Sequence, residues 1–263
     1  MSLVKAKKHL GQHFLTDKNI AEKIVNGLQA TSQYKQVLEV GPGMGILSDF
    51  LLAKQDLETY LIDIDTESYE FLKRKYPNLG DRLINGDFLE LDFAAVFPGK
   101  FGIIGNFPYN ISSQILFKVL DNRNQVVELV GMFQKEVAQR CAERPGSKEY
   151  GILSVFLQAF YKVEYLFSVK PGVFNPPPKV TSAVIRLTRN DVEKLNCDEK
   201  LFWQVVKAGF NQRRKTLRNA LSSLVSKESM TDDPMFDLRA ERLSVDDFVK
   251  MTNLINTSRI NTE

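Results

Sequence analysis

Between residues 36 and 187 apolar positions follow two alternating rhythms. Short runs rich in β-branched and aromatic side chains, at Gln36–Val40, Thr59–Asp63, Arg82–Asn85, Phe101–Gly105, Val127–Phe133, Tyr161–Val169 and Ser182–Leu187, predict seven strands. Between them Ile46–Ala53, Glu67–Tyr76, Ile111–Leu120, Lys135–Ala142 and Ile152–Ala159 carry the spacing of helices with one apolar face. This alternation predicts an α/β fold, a parallel sheet covered by helices. The last two strands have no helix between them, which points to an antiparallel edge. Residues 188–200 are polar without a strand signal, and the remainder of the chain reads as helical, so the expected boundary separates a domain over 1–187 from a small all-helical domain over 188–263. In the latter, Phe210, Leu217, Leu221 and Leu224 read as one face of a helix, and Arg214 and Arg218, four apart, as another.

Composition narrows the class. At 263 residues, 43% hydrophobic and 25% charged, the chain is long enough for one large core and a smaller appendage. No apolar stretch approaches a bilayer span, and the lysines of Met1–Lys8 are not followed by the apolar segment of a signal peptide, so a soluble, cytoplasmic protein is expected. Cys141 and Cys197 stand far apart and outside any Cys-x-x-Cys pair, which argues against a disulfide framework and a zinc site. His9 and His13 would share a helix face, yet without a nearby carboxylate or thiol they make a poor metal site, and no metal is expected. No apolar seam calls for a dimer, so a monomer is expected.

The net charge is only +3, but its distribution is uneven. Lys207–Arg218 holds five basic residues and no acidic one, and Lys5, Lys7 and Lys8 crowd the other end. One such run is as readily a solvated helix face as a phosphate contact. Two runs flanking a base-pocket motif favour a nucleic-acid partner, with Arg213, Arg214, Lys215 and Arg218 as candidate contacts to its phosphate backbone.

Glu39-Val40-Gly41-Pro42-Gly43-Met44-Gly45 lies where the first strand meets the first helix, a place where glycine lets the backbone turn tightly and approach a ligand. Ile46 occupies the sixth position, so the dinucleotide fingerprint is not met, and no Lys-Ser or Lys-Thr pair follows as a P-loop would require. A nucleoside ligand without phosphates fits better. Eighteen residues after Gly45, Asp63 ends the second strand, where a carboxylate can accept from two ribose hydroxyls; Asp65 competes for that role. Asp87-Phe88 follows the third strand and offers an acceptor for an adenine amine beside an aromatic face. Glycine, acid and acid at successive strand ends is the layout of an S-adenosylmethionine site.

Asn106-Phe107-Pro108-Tyr109-Asn110 follows the fourth strand and reads as the lip of a pocket for a flat, amino-bearing ring. The lone pair of an exocyclic amine is delocalised into its ring, so alkylation requires acceptors that draw the nitrogen toward tetrahedral geometry. The Asn106 side-chain oxygen and the Phe107 carbonyl, stiffened by Pro108, can accept both N–H groups while Tyr109 stacks on the ring.

With these residues in place the chain resembles the KsgA/Dim1 family of ribosomal RNA adenine N6,N6-dimethyltransferases nearly end to end. Gly11-Gln12-His13-Phe14-Leu15, Glu39–Gly45, Asn106–Asn110, Phe133–Val137, Tyr150–Ser154, Phe174-Asn175-Pro176-Pro177-Pro178-Lys179-Val180 and Phe210–Arg218 carry the likeness. His13, Asp63 and Phe107 depart from it, standing where the family often has Asn, Glu and Leu.

The resemblance implies a seven-stranded Rossmann-like S-adenosylmethionine-dependent methyltransferase domain and a helical RNA- and ribosome-binding domain. It implies cofactor contacts at His13, Leu15, Gly41, Asp63, Asp87 and Asn106, and a base clamp formed by Tyr109 and Phe174. The implied reaction is dimethylation of two adjacent adenosines in the 3′-terminal hairpin of small-subunit rRNA, with that rRNA and a small-subunit precursor as partners. The related Erm group, acting on large-subunit RNA, and a non-catalytic ribosome-assembly factor are the alternative readings.

Overall fold

The computed structural model describes residues 4–225, 230 and 232–260. The chain divides into two compact units, one of residues 1–138 and 162–189, the other of 139–161 and 190–263. In chain order the elements of the first stretch are β1 (Phe14–Leu15), α1 (Lys18–Val25), β2 (Gln36–Val40), α2 (Ile46–Leu51), β3 (Glu58–Asp63), α3 (Thr66–Lys75), β4 (Leu83–Asn85), α4 (Phe93–Val96), β5 (Phe101–Asn106), α5 (Ser112–Asp121) and β6 (Val126–Gln134). Then come α6 (Lys135–Ala142), α7 (Ile152–Phe160), β7 (Tyr161–Val169), β8 (Phe174–Asn175), β9 (Ser182–Arg189), α8 (Glu199–Asn211), α9 (Leu217–Ala220) and α10 (Val245–Ile260). No helix among the described residues is long and apolar enough to cross a membrane.

Seven strands form one sheet in the order β4-β3-β2-β5-β6-β9-β7. The pairs β2–β3, β3–β4, β2–β5 and β5–β6 are parallel, and β6–β9 is antiparallel. Because β3 and β4 lie on one side of β2 and β5 on the other, the chain reverses its direction of winding beside β2. The loops leaving β2 and β5 therefore part there, which opens a crevice at their carboxyl ends. Val37, Leu38, Ile103, Ile104, Leu129 and Val130 are fully buried, so the central strands read as near-continuous apolar runs.

The link from α1 to β2 is held by a buried acid. Glu128 of β6 accepts from the main-chain N–H groups of Gln29 and Ala30 at 2.9 and 3.0 Å and from the Tyr34 hydroxyl at 2.7 Å. Tyr34 packs its ring against Gly102 of β5, where a Cβ would come within 2.6 Å of the ring. A separate two-stranded ribbon pairs β1 with β8, Phe14 opposite Asn175 and Leu15 opposite Phe174.

In the second unit Asp198 caps α8 through the Leu201 N–H at 2.9 Å. Phe202, Val205, Leu217, Phe236, Phe248 and Met251 are buried, and Phe156 meets Trp203 with ring centroids 3.8 Å apart. The single helix expected across Phe210, Leu217, Leu221 and Leu224 is instead broken. α8 stops at Asn211, residues 212–216 turn, and the Leu217 N–H is taken by the carbonyl of Leu238 at 2.8 Å. That long-range bond, together with Arg213 donating to the carbonyls of Lys148 and Tyr150, favours the turn over continued helix.

Replacing Glu128 by Gln puts an amide donor among three donors and removes the charge. The variant is expected to lose about 3 kcal/mol of stability, the scale of a charge-assisted pair left unmade, read as a lower urea midpoint at unchanged slope.

Candidate functional site

The carboxyl ends of β2, β3, β4 and β5 open into one cleft of about 950 Å3, and the segment Leu10–Phe14 closes its far side. Gly41, Gly43 and Gly45 all have positive φ, which explains the Gly-x-Gly-x-Gly spacing. Space beside Gly41 is open, whereas a Cβ on Gly43 would strike the Phe14 ring at 2.7 Å. The first glycine thus leaves backbone bare toward the cleft, and the second admits the amino-terminal segment. A smaller recess of about 310 Å3 adjoins, bordered by Leu15, Glu39, Gly41, Met44 and Asn106.

The two competing acids separate cleanly. Asp65 caps α3 and is saturated: it accepts from the Lys7 ammonium at 2.6 Å, Gln12 Nε2 at 3.2 Å, the Glu67 N–H at 3.1 Å and the Ser68 hydroxyl at 3.1 Å. It therefore fastens the amino-terminal segment, and its carboxyl is held below the usual range despite burial, by Lys7 and Gln12 foremost. Asp63 lines the cleft, with one oxygen on the Gly43 N–H at 3.1 Å and the other on the Asp65 N–H at 2.9 Å. Each oxygen keeps a further lone pair for a ligand. Burial pushes its carboxyl up to about 6, against the pull of the Asp65 and Gly43 N–H groups.

Asp87 follows β4 and lines the cleft; its Oδ1 accepts from the Leu89 N–H at 2.8 Å, which leaves Oδ2 without a partner among the described residues. Phe88 borders the cleft too, but its side chain is buried and its ring tilts against Phe93 at 5.6 Å, so it offers no open face. The exposed apolar surface there is Ile64, 53% exposed at the end of β3, which sequence reasoning passed over. An isoleucine directly after a strand-end acid was the available signal.

Asn106 ends β5, and its Nδ2 donates to the carbonyl of His13 at 2.8 Å. Only nitrogen can donate to that carbonyl, so the bond fixes the amide and leaves Oδ1 as the free acceptor. The next carbonyls are sorted by their partners. Those of Pro108 and Tyr109 receive the Ile111 N–H and the Ser112 hydroxyl, while that of Phe107 has no donor among the described residues. The Phe107 side chain is buried against Phe133, with ring centroids 4.9 Å apart, in space provided by Gly131 on β6 and Gly105 on β5; a Cβ on Gly131 would overlap the Phe107 ring. Pro108 and Tyr109 line the cleft as well.

His13 packs on Tyr109 with ring centroids 5.5 Å apart and an interplanar angle of 27°. Its Nδ1 lies 2.8 Å from the carbonyl of Pro176, which requires a proton on that nitrogen. The Tyr109 hydroxyl meets that of Ser182 at 2.6 Å. Phe174 is a correction: paired with Leu15 across β1–β8, it is 4% exposed within the hydrophobic core and does not border the cleft, so no ring face is available to clamp a base. Strand alternation turns it inward, while its neighbours Asn175 and Pro176 are exposed. No group of three or more metal-ligating side chains occurs among the described residues.

The four basic candidates divide in two. Arg214 and Lys215 are exposed on the turn after α8. Arg213 donates to the Lys148 and Tyr150 carbonyls, and Arg218 pairs with Asp237 at 3.1 Å over the ring of Phe236, so both are engaged within the second unit. At the other end, Lys7 is spent on Asp65 and Glu67, with Lys5 and Lys8 exposed.

Comparison with known proteins places this geometry. Residues 3–257 match the family model described as ribosomal RNA adenine dimethylase. The chain is 60% identical to ribosomal RNA small subunit methyltransferase A of Cytophaga hutchinsonii over 97% of its length and 99% of that protein's, and 53% identical to the protein of the same name in Flavobacterium johnsoniae over 99% of each. Among solved structures it is similar to a dimethyladenosine transferase from Plasmodium falciparum, with TM-score 0.77 and 26% identity over 94% of this chain and 98% of that one. The 23S rRNA methyltransferase ErmE, at 22% identity, shares the fold with TM-score 0.68 over 91% of this chain and 99% of its own.

The division among the cations has a direct check by thermal unfolding. Arg213→Glu is expected to lower the melting temperature by several degrees, on the order of the 1–2 kcal/mol lost with two carbonyl partners. Arg214→Glu and Lys215→Glu are expected to leave it within about a degree, as exposed sites do.

Proposed function

The chain belongs to the ribosomal RNA adenine dimethylase family, and from that premise we propose that it uses S-adenosylmethionine to dimethylate N6 of two adjacent adenosines in the 3′-terminal hairpin loop of small-subunit rRNA, on the maturing small subunit. The carrying observation is the pair of consecutive acceptors, Asn106 Oδ1 and the Phe107 carbonyl, that have no donor among the described residues, at the lip of a cleft bearing two carboxylates. The exposed Arg214 and Lys215 supply phosphate contacts.

The cleft's chemistry fits the cofactor. Asp63 can accept both ribose hydroxyls and Asp87 Oδ2 an adenine amine, and the exposed Ile64 side chain would hold the adenine face. No Lys or Arg among the described residues lines the cleft, in keeping with a nucleoside that carries no phosphate. Leu15 and Gly41 border the recess beside it, and His13 helps close the cleft from the amino-terminal side. Bound there, S-adenosylmethionine supplies an electrophilic methyl group on a sulfonium.

The protein's part is alignment and local acceptance. Asn106 and Phe107 accept the two N–H groups of the target amine and turn its lone pair toward the methyl carbon. Tyr109 stacks on the extruded base, whose unstacking costs least in a loop. With no charged base at the lip, the nitrogen's proton leaves to solvent after transfer. The acceptor pair demands an amine that still carries hydrogen, so it serves the first transfer with two bonds and the second with one.

The deciding experiment incubates the protein and labelled S-adenosylmethionine with small subunits from a strain lacking the modification, then identifies the labelled nucleoside. N6,N6-dimethyladenosine in the 3′-terminal hairpin is the expected product, and Asn106→Ala should lower the rate by about a hundredfold or more, the scale of a lost acceptor in a preorganised site. Label in large-subunit RNA alone, or wild-type transfer by Asn106→Ala, would overturn the reading.

Asp63 adds a pH signature. Ribose hydroxyls bind its ionised form, so with the carboxyl at about 6 cofactor affinity should be flat above pH 7 and fall toward tenfold per pH unit well below 6. Titration calorimetry across that range should show the step in the wild type and no such step in Asp63→Asn, whose binding is weaker throughout.

A further inference from the structure

We propose that Ser182 is a positioning residue for methyl transfer, holding Tyr109 by its hydroxyl in the orientation that stacks on the target adenine. This rests on the reading of Tyr109 given above.

Tyr109 stands in a short turn after Pro108, so its own backbone gives the ring little rigidity. Its ring is only half-buried, yet its hydroxyl points inward to Ser182, 2.6 Å away. Ser182 has the opposite character. It is fully buried at the first position of β9, opposite Gln134 of β6, and the antiparallel ladder from Ala183 onward locks its backbone. No other partner for either hydroxyl occurs among the described residues, and Ser182, fully buried, has no solvent to turn to instead. A half-buried aromatic on a turn is thereby pinned at its far end to a strand of the sheet.

The second restraint on the ring comes from the same stretch of chain. Pro176, six residues before Ser182, holds the His13 imidazole by its carbonyl, and that imidazole packs on the Tyr109 ring. His13 restrains the ring along its normal, and Ser182 restrains it in its plane. With the hydroxyl anchor removed, the ring remains packed on His13 but is free to slide. The stacked base then slides with it, away from Asn106 Oδ1 and the Phe107 carbonyl. Ser182 touches none of the cleft's carboxylates or glycines and does not line the cleft, so cofactor binding is independent of it.

The test is a double-mutant cycle with Ser182→Ala and Tyr109→Phe, which remove the same hydrogen bond from its two ends. Each is measured for kcat and KM on small subunits and for S-adenosylmethionine affinity by calorimetry. Ser182→Ala is expected to lower kcat by about tenfold, within the range that a small misplacement costs, with cofactor affinity and KM within about twofold of wild type. Tyr109→Phe should lower kcat to the same extent, and the double variant should be no slower than either single one. A wild-type kcat in Ser182→Ala, losses that multiply in the double variant, or cofactor affinity falling in step with kcat would overturn the proposal. Tyr109→Ala separates it from the reading beneath it: if that variant transfers at the wild-type rate, stacking by Tyr109 is wrong altogether, whereas a collapse there beside a normal Ser182→Ala removes only the role of Ser182.

Discussion

The hydrogen bond from Asn106 Nδ2 to the His13 carbonyl organises the site. It joins the end of β5 to the amino-terminal segment, and by engaging the amide nitrogen it leaves the oxygen as the acceptor. The same segment then carries His13 onto Tyr109, pairs Phe14 and Leu15 with β8, and reaches back through Gln12 and Lys7 to Asp65 at the head of α3. A residue that looks like a self-contained catalytic motif in sequence is thus oriented by a backbone carbonyl 93 positions earlier. The cleft and its lip are two sides of one strip of chain, which explains why Leu10–Phe14 and Asn106–Ile111 border the same space.

Much of the sheet was readable because its central strands, β2, β5 and β6, are buried on both faces. Gln36–Val40 and Tyr161–Val169 appear with the bounds their apolar runs indicate, and β3, β4, β5, β6 and β9 differ by one or two residues. The glycines and acids at strand ends were equally legible, since backbone geometry and strand position limit what can stand there. The family resemblance, drawn from these motifs, is borne out by the match over residues 3–257. Helix α1 was not anticipated, although Asp17 capping Ile20 and the buried Ala21, Ile24 and Val25 leave a helical signature; the polar residues between them masked it.

What sequence could not show was partnership across distance. β1 and β8 are two residues each, and their pairing depends on a neighbour some 160 positions away, so no local rhythm announces them. Phe174 bears the same letters whether its ring faces a cleft or the core; the register against Leu15 decides, and it turns inward. Likewise Arg213 and Arg218 look as free as Arg214 in a basic run, but a carbonyl pair and Asp237 engage them. Asp63 and Asp65 were an open choice for the same reason, and the four donors converging on Asp65 settle which carboxylate remains to face the cleft.

The ring of Phe107 occupies volume that a side chain on Gly131 would need. Positions 107 and 131 are therefore bound into one space-filling unit, although one follows the end of β5 and the other lies within β6, and of the two Phe107 alone borders the cleft. Any enlargement at 131 is barred while the rings of Phe107 and Phe133 both stand against it, so a smaller side chain at 107 frees only part of the space. The history open to this lip is accordingly directional: room has to be made at 107 and at 133 before growth at 131, and a lineage that has taken those steps cannot restore the phenylalanine at 107 alone. A silent glycine under the lip thus sets the order in which the active loop can be rewritten.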